Sequence, residues 1–300
     1  MNRRYIFLDT WVFSLLSNPV SADALAQFVH AGGFTVIITG ALLIELYNPS
    51  WQNATSLERG ELATTFIARS PSVIIDPAEI WDRELDANLS PLPTLPVKLD
   101  LKDLSAEHRK ITLLALLRRD PLFLNQGQDI EEWRRETAEL KGGWLQTVER
   151  IIDHACRADR LRRDASGSFI DKEALREIFL ISLDLRRAKR EMIDSILANA
   201  KPKLLQATAV RTSSLCFWYL YIDIDPANRP KHRGSDIVDI FHASLLPYCR
   251  VLTIDQSMHR TLLRTGALAL FPNCRLLTKA DLEQLLRDRG RRDSFLAGIA

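Results

Sequence analysis

Residues Arg233–Asp255 read RGSDIVDIFHASLLPYCRVLTID and contain a loop, a helix and a strand in that order. Ser235 is a residue type that commonly caps the start of a helix, and Pro247 is one at which a helix ends. The predicted helix carries two carboxylates, Asp236 and Asp239, whose spacing places them on one face. The segment therefore predicts a helix that presents acidic side chains from its first turns.

A short strand follows this helix and leads into a further carboxylate. The run Val251–Ile254 is apolar apart from Thr253, which is typical of a strand buried in a parallel sheet, and Asp255 comes next. The N-terminus has the same arrangement, since the apolar run Tyr5–Leu8 is followed by Asp9. Carboxylates at the ends of buried strands are suited to binding divalent metal ions. The two segments therefore predict a shared acidic site.

The composition is that of an ordinary globular protein. The chain has 300 residues, of which 46% are hydrophobic and 26% charged, so it can bury a large core. A formal net charge of +2 means that nucleic acid would have to be held by local basic patches. The 4 cysteines are scattered without a CxxC pair, and no apolar run approaches the ~20 residues that span a bilayer. We therefore expect a cytoplasmic protein with reduced cysteines.

Strand and helix patterns alternate in the N-terminal part of the chain. Apolar, β-branched runs at Phe34–Thr39 and Ser72–Ile75 join Tyr5–Leu8 as predicted strands. Helical patterns separate them, and the short helix after the second strand carries Glu45 between apolar neighbours. This order predicts the α/β class, with an open, mostly parallel sheet flanked by helices.

The pattern changes at a proline-rich connector, SPLPTLP, at residues 90–96. Beyond about residue 105 only helical periodicities are seen until the α/β pattern resumes near the C-terminus. The basic segment RDRGRR, residues 287–292, is expected to be frayed. We therefore divide the chain into an α/β core and a large all-helical insertion. The core comprises residues 1–87 and 223–300, and the insertion comprises residues 88–222.

Each acidic residue also has a purely structural explanation. Asp9 would cap a loop, while Asp236 and Asp255 stand where an aspartate favours a helix dipole or caps a helix. Glu45 would be a salt-bridged helix residue, whereas Asp239 stands among apolar neighbours. Taken together, several carboxylates at one edge of a sheet repel each other unless a cation lies between them. We therefore predict a site for Mg²⁺ or Mn²⁺ that would support phosphodiester cleavage.

The order of these motifs resembles the PIN-domain family of metal-dependent ribonucleases. The segments that carry the resemblance are YIFLDT, VIITGALLIELYN, SDIVDIFHAS and VLTID. They correspond to a strand ending in Asp, a strand and helix with Glu, a helix opening with Asp, and a strand reading Val-Leu-Thr-x-Asp. The resemblance implies a Rossmann-like PIN domain and a nuclease, most readily an endoribonuclease that cleaves RNA with Mg²⁺ or Mn²⁺.

The resemblance also assigns roles to residues and partners. It implies a catalytic set of Asp9, Glu45, Asp236, Asp239, Thr253 and Asp255. Four of these acids would bind the metal, namely Asp9, Glu45, Asp239 and Asp255. Asp236 is an auxiliary ligand or an alternative to Asp239, and Thr253 would orient water or a ligand. Because the family includes many toxins of bacterial toxin–antitoxin pairs, an antitoxin or other protein partner and a homodimer are also implied.

Other enzyme classes fail on specific residues. A haloacid-dehalogenase-type phosphatase needs a second Asp two positions after Asp9, where Trp11 stands. The chain has no G-x-G-x-x-G after an early strand, no P-loop, no zinc-type histidine spacing and no G-x-S-x-G elbow. His242 follows Asp239 by one turn and is interpreted as a packed helix residue. These exclusions leave the acidic cluster as the site to test.

Two alternatives to an RNA-cleaving enzyme stay open. In the first, the PIN-like core is a non-catalytic scaffold that binds RNA or protein, although mutually repelling carboxylates have no purpose there. In the second, the same chemistry acts on DNA. Basic clusters at Arg134–Arg135, Arg157–Arg163 and Arg186–Arg190 would grip phosphates in either enzyme, or would simply be solvated helix faces.

Overall fold

The computed structural model describes residues 4–46, 54–87, 90–118, 212, 236–264 and 271–299. Most of the predicted insertion at 88–222 lies outside these residues, and so do the three predicted basic clusters and the backbone before Asp236. The side chain of Asp236 is also outside the described part.

Six strands form one sheet within the described residues. They are β1 (Arg4–Phe7), β2 (Phe34–Thr39), β3 (Ser72–Ile75), β4 (Val97–Asp100), β5 (Val251–Thr253) and β6 (Arg275–Leu277). Their order across the sheet is β4-β3-β2-β1-β5-β6. Neighbouring strands are parallel except for β3 and β4, which are antiparallel. The predicted α/β class and the mostly parallel sheet are therefore confirmed.

Helices flank this sheet in the described part of the chain. A 3₁₀ helix (Thr10–Ser17) follows β1. The α-helices are α1 (Pro19–Ala31), α2 (Gly40–Leu46), α3 (Ala54–Arg69), α4 (Pro77–Asp86), α5 (Ala106–Arg118), α6 (Asp236–Ala243), α7 (Gln256–Arg264), α8 (Lys279–Arg287) and α9 (Arg289–Gly298). None of these described helices is long and apolar enough to cross a membrane.

The two central strands, β1 and β2, form the middle of the hydrophobic core. Ile6, Phe7, Val36 and Ile37 have no solvent-accessible surface. Ile6 pairs with Val36 on one side and with Val251 on the other, so β1 lies between β2 and β5. Continuous apolar runs are the sequence expected for strands that are covered on both faces.

The edge strand β4 was not predicted and lies inside the range assigned to the helical insertion. Its sequence is VKLD, so it offers only two apolar residues and no continuous run. Val97 and Leu99 are partly buried against the core, while Lys98 forms an ion pair with Asp76 at 3.2 Å. Charged, short edge strands are common because they discourage pairing with other chains. The sheet therefore extends past residue 87, beyond the proline-rich connector.

The C-terminal segment is a helix, which corrects the expectation that the basic tail is frayed. Asp288 caps α9, because its side chain accepts a hydrogen bond from the Arg291 N–H at 3.0 Å. Arg292 is buried and donates to Gln27 on α1 at 3.1 Å. Arg250 donates to the carbonyl of Ile299 at 3.0 Å. Arg292 from within the tail and Arg250 from outside it therefore anchor this segment, a role that composition alone does not reveal.

The order of the strands creates a switch point beside β1. The chain goes from β1 to β2 and β3 on one side of the sheet and later places β5 and β6 on the other side. In open α/β sheets, a crevice forms at such a point beyond the carboxyl ends of the strands, and ligands bind there. Asp9 follows β1 and Asp255 follows β5, so two of the predicted acids leave the sheet at this point.

Candidate functional site

A buried hydroxyl fixes the backbone of Asp9 at the end of β1. The Asp9 N–H donates to Oγ1 of Thr253 on β5 at 2.7 Å. The same hydroxyl donates to the carbonyl of Phe7 at 3.2 Å, and Thr253 is fully buried. This hydroxyl therefore both accepts and donates a hydrogen bond within the protein. Thr253 joins the ends of the two strands at the switch point and positions Asp9.

The side chain of Asp9 caps the 3₁₀ helix that follows it. Its Oδ1 accepts a hydrogen bond from the Thr10 N–H at 2.6 Å. Its carbonyl accepts from the Val12 N–H at 2.9 Å. One oxygen of the Asp9 carboxylate therefore has the capping role that its purely structural explanation gives.

Glu45 on α2 is connected to Asp9 through Thr10. Its Oε2 accepts a hydrogen bond from the Thr10 hydroxyl at 2.5 Å. The N-terminus of α2 is in turn fixed by Thr39 at the end of β2, whose hydroxyl accepts from the Leu42 N–H at 3.1 Å. Glu45 is only partly buried, so its carboxylate lies at the core boundary. Thr10 therefore donates to two acids at once, through its N–H and its hydroxyl.

Asp255 approaches the site from the other side of the switch point. Its Oδ1 accepts a hydrogen bond from the Met258 N–H at 2.6 Å, so it caps α7 as an N-cap aspartate does. The residue is exposed, and its charge raises the pKa of Asp9. Asp255 is therefore both a helix cap and an electrostatic neighbour of Asp9.

The electrostatics of the cluster are seen in Asp9. Burial raises the pKa of this carboxyl from its ordinary 3.8 to about 7. The charges of Glu45 and Asp255 act in the same direction, whereas the hydrogen bond from Thr10 opposes them. A partly buried carboxylate under the influence of two other negative charges is unfavourable in its charged form unless a cation compensates it. Helix capping alone does not require a carboxylate whose pKa is raised by two other acids.

Each of the three carboxylates has one oxygen committed to a hydrogen bond. These committed oxygens are Oδ1 of Asp9, Oε2 of Glu45 and Oδ1 of Asp255. No described residue donates a hydrogen bond of ordinary geometry to the second oxygen of any of the three. The second oxygens are therefore available to a ligand.

Asp239 lies on α6, the helix that precedes β5 in the described chain. The later residue His242 is buried, with Nε2 3.3 Å from Oγ1 of Thr39 and its ring centroid 4.5 Å from that of Phe7. Asp239, one turn earlier, is partly buried. The charges that raise the pKa of Asp9 are those of Glu45 and Asp255.

The predicted metal ligands fit a hard divalent cation by their chemistry. Oxygen donors and mutual repulsion are what Mg²⁺ and Mn²⁺ sites use. In the described residues, however, no group of three or more His, Cys, Asp or Glu side chains stands close enough together to hold a metal ion. Asp9, Glu45 and Asp255 are therefore coupled electrostatically, and each accepts its own hydrogen bond.

Two residues next to Asp9 are functional candidates to which sequence reasoning gave no role. Thr10 bonds both Asp9 and Glu45, and a hydroxyl residue directly after a strand-end aspartate was the only signal. Trp11 places a buried indole nitrogen near the Asp9 carboxylate and lowers its pKa, although no described group accepts its N–H in ordinary hydrogen-bond geometry. Composition and spacing could not have found this second residue.

Comparisons of the chain with known proteins give no match. This holds for protein-family models, for curated proteins and for solved structures. The resemblance to PIN-domain nucleases therefore rests on the four sequence motifs.

Proposed function

We propose that this protein is a PIN-like nuclease that uses Mg²⁺ or Mn²⁺ to cleave phosphodiester bonds, with RNA as its substrate. The observation that carries the proposal is the electrostatic coupling of three carboxylates, because the charges of Glu45 and Asp255 both raise the pKa of Asp9 at the switch point of the sheet. Burial and mutual repulsion raise the pKa of the central one to about 7. Such a cluster is unfavourable as a purely structural feature and is favourable around a cation.

The arrangement of the sheet supports the PIN-like interpretation. Strands β1 to β4 come from the first part of the chain, and β5 and β6 complete the same sheet after residue 250. Segments that are far apart in sequence therefore form one sheet, which is what a PIN-like domain interrupted by an insertion would require. The four acidic motifs lie after β1, in α2, in α6 and after β5, in the order that the resemblance requires.

In this proposal each side chain has a separate task. The second oxygens of Asp9, Glu45 and Asp255 would hold the cation, and Asp239 would supply a fourth ligand from α6. Asp236 is the alternative fourth ligand. When bound, a divalent cation polarises a phosphate oxygen and makes water more acidic.

The remaining groups fix the ligands in place. Thr10 holds the carboxylates of Asp9 and Glu45 through its N–H and hydroxyl. Thr253 holds the backbone of Asp9 against the end of β5. Ligands whose orientation is fixed by neighbouring hydrogen bonds bind metal more tightly than mobile ones. These donors would also keep the acids at the carboxyl edge of the sheet, where a phosphodiester chain can approach.

A cleavage assay with matched variants tests the proposal. The full chain is incubated with single-stranded RNA and with DNA of the same sequence, in Mn²⁺, in Mg²⁺ or in EDTA. We expect metal-dependent cleavage of RNA that falls to the background rate in Asp9→Asn and in Asp239→Asn. Asp76→Asn is the control, because Asp76 also follows a parallel strand at this edge but pairs with Lys98 at 3.2 Å.

The outcomes separate the alternatives. Cleavage of DNA in place of RNA would correct the substrate and keep the chemistry. RNA binding without cleavage by any variant would support a scaffold. Cleavage at the parent rate by both Asp9→Asn and Asp239→Asn would show that the site is wrong.

A further inference from the structure

The proline-rich connector, residues 90–96, lies between α4 and the edge strand β4. Its sequence is SPLPTLP, and prolines have no backbone N–H to donate. A regular ladder of backbone hydrogen bonds therefore cannot hold this segment. Leu95 is buried and Leu92 is partly buried against the hydrophobic core, so the connector is nevertheless packed on the protein.

A tyrosine from the C-terminal part of the chain binds the backbone of this connector. The Leu92 N–H donates to the hydroxyl of Tyr248 at 3.1 Å, across 156 positions of sequence. Tyr248 lies in the turn between α6 and β5. Two residues later, the Arg250 N–H donates to the carbonyl of Tyr5 at 2.8 Å, so this turn is itself attached to β1. Leu92 is therefore connected through Tyr248 to the centre of the sheet.

The same hydroxyl donates to a fully buried carboxylate. Tyr248 donates a hydrogen bond to Oε1 of Glu84 on α4, a residue with no solvent-accessible surface. Burial and the charge of Glu84 raise the pKa of Tyr248 well above its usual value, so the hydroxyl keeps its proton and remains a donor. Removing a donor from a buried carboxylate is unfavourable. The Tyr248 hydroxyl therefore joins α4, the connector and the turn before β5.

The connector leads directly into the edge of the sheet. Val97, the first residue of β4, pairs with Ile75 at the end of β3, and the Leu101 N–H after β4 donates to the Ser72 carbonyl at 3.0 Å. Within the described residues, β4 pairs with one strand only. Segments at an edge, with few backbone partners, open at lower free energy than a buried core. The connector and β4 therefore form one continuous segment of low local stability.

We propose that the connector and β4 form a strap that opens as one unit while the central strands stay folded, and that Tyr248 is the latch that keeps the strap closed. Its hydroxyl bonds groups on both sides of this opening, because Leu92 belongs to the strap and Glu84 stays with α4. Opening exposes the side of β3 that β4 covers and leaves β1 and β5 paired. Neither the strap nor its latch requires a bound cation, so both are independent of the proposed function.

Hydrogen exchange of backbone amides in the full-length parent protein, measured by NMR at low urea concentrations, tests the strap without any variant. We expect the Leu92 and Leu101 amides to exchange through one shared opening, because both bonds are lost when the strap opens. The amides of β1 should exchange at least about tenfold more slowly, through global unfolding. Exchange of Leu92 and Leu101 through global unfolding alone, or through two unrelated openings, would overturn the strap.

Tyr248→Phe tests the latch, because phenylalanine keeps the ring and removes the hydroxyl. We expect exchange at Leu92 and Leu101 to become about tenfold faster, as the loss of a hydrogen bond to a charged group implies.

Thr261→Val is the matched control, because it removes a buried hydroxyl that bonds the Ser257 carbonyl at 3.1 Å within α7, outside the strap. It should speed exchange in β1 and leave Leu92 and Leu101 as in the parent, since α7 stays folded when the strap opens. Parent-like exchange at Leu92 and Leu101 in Tyr248→Phe would overturn the role of Tyr248. Equal acceleration of these two amides by both variants would show that they exchange by global unfolding, which would overturn the strap.

Discussion

Thr10 and Glu45 are joined by a hydrogen bond of 2.5 Å between the threonine hydroxyl and a carboxylate oxygen, although 35 positions separate them. The N–H of the same threonine bonds Asp9 at 2.6 Å. One residue therefore orients two acids that come from different strand–helix units. Loss of either hydrogen bond should weaken ligand binding at the site more than it destabilises the fold.

Thr10→Val tests this orientation. Valine has nearly the same shape and keeps the backbone N–H, so the bond to Asp9 should survive while the bond to Glu45 is lost. We expect Mn²⁺ binding to weaken about tenfold. The free energy of unfolding should fall by only about 1 kcal/mol, the usual contribution of one hydrogen bond. Calorimetric titration and urea unfolding measure the two effects.

Thr10→Ser is the control, because serine keeps the hydroxyl. It should bind Mn²⁺ within about threefold of the parent, well inside the loss caused by valine. Equal losses in the serine and valine variants would mean that the methyl group, and not the hydrogen bond to Glu45, determines the affinity.

Asp9→Asn is predicted to stabilise the metal-free protein at alkaline pH. The folded protein raises the pKa of this carboxyl to about 7, so between pH 4 and pH 7 the folded state holds a proton that the unfolded chain releases. The stability contributed by this proton is fully present below the pKa of Asp9 in the unfolded chain and is lost as the pH rises to about 7. Asparagine has no charge, so this loss is absent.

Unfolding by urea in EDTA at pH 5 and pH 8 measures this difference. From pH 5 to pH 8, the parent should lose roughly 2–3 kcal/mol relative to Asp9→Asn, since one pKa unit corresponds to about 1.4 kcal/mol. Asp103→Asn removes an exposed carboxylate with 84% side-chain exposure and controls for net charge. Parallel pH profiles for the parent and Asp9→Asn would show that the carboxyl is not perturbed.

Metal binding is predicted to release a proton below neutral pH. A cation binds the charged form of Asp9, and the pKa of about 7 means that most molecules carry a proton there at pH 6. The affinity for Mn²⁺ should therefore fall by about tenfold per unit as the pH drops below that value. Calorimetry in two buffers of different ionisation enthalpy counts the proton directly. Proton release at pH 6 that equals the release at pH 8 would contradict the prediction.

The strands at the centre of the sheet could be predicted because they are buried on both faces. The predicted run Phe34–Thr39 coincides with β2, and Ser72–Ile75 coincides with β3. The edge strand β4 is not predicted, because none of its residues is fully buried and Lys98 and Asp100 interrupt any apolar pattern. Burial on both faces requires a continuous apolar run in the sequence, whereas strand pairing at the edge of a sheet does not.

The site was predictable in outline because parallel strands end at one edge. That rule alone brought Asp9 and Asp255 together, but it could not show which donors hold them. Sequence reasoning also treated helix capping and metal binding as competing explanations. The structure shows that one oxygen of each acid caps a helix while the other is left available, so capping does not argue against the site. Such a division within a single carboxylate has no signal in residue type or spacing.

Thr253 carries the last prediction, because its hydroxyl contacts the backbone of a proposed ligand. The resemblance implied that it orients water or a ligand. Its buried hydroxyl accepts the Asp9 N–H at 2.7 Å and donates to the Phe7 carbonyl at 3.2 Å. Thr253→Val would remove the acceptor of the Asp9 N–H and a donor to the Phe7 carbonyl, so we expect the free energy of unfolding to fall by about 1–3 kcal/mol.

Because Asp9 follows the strand end that Thr253 holds, the same variant should also weaken Mn²⁺ binding. Thr253→Ser keeps the hydroxyl and should recover most of both losses, apart from the small cavity left by the methyl group. Urea unfolding and Mn²⁺ titration on the parent and the two variants measure this. A valine variant that is destabilised but binds Mn²⁺ as the parent does would show that Thr253 supports the sheet without positioning Asp9.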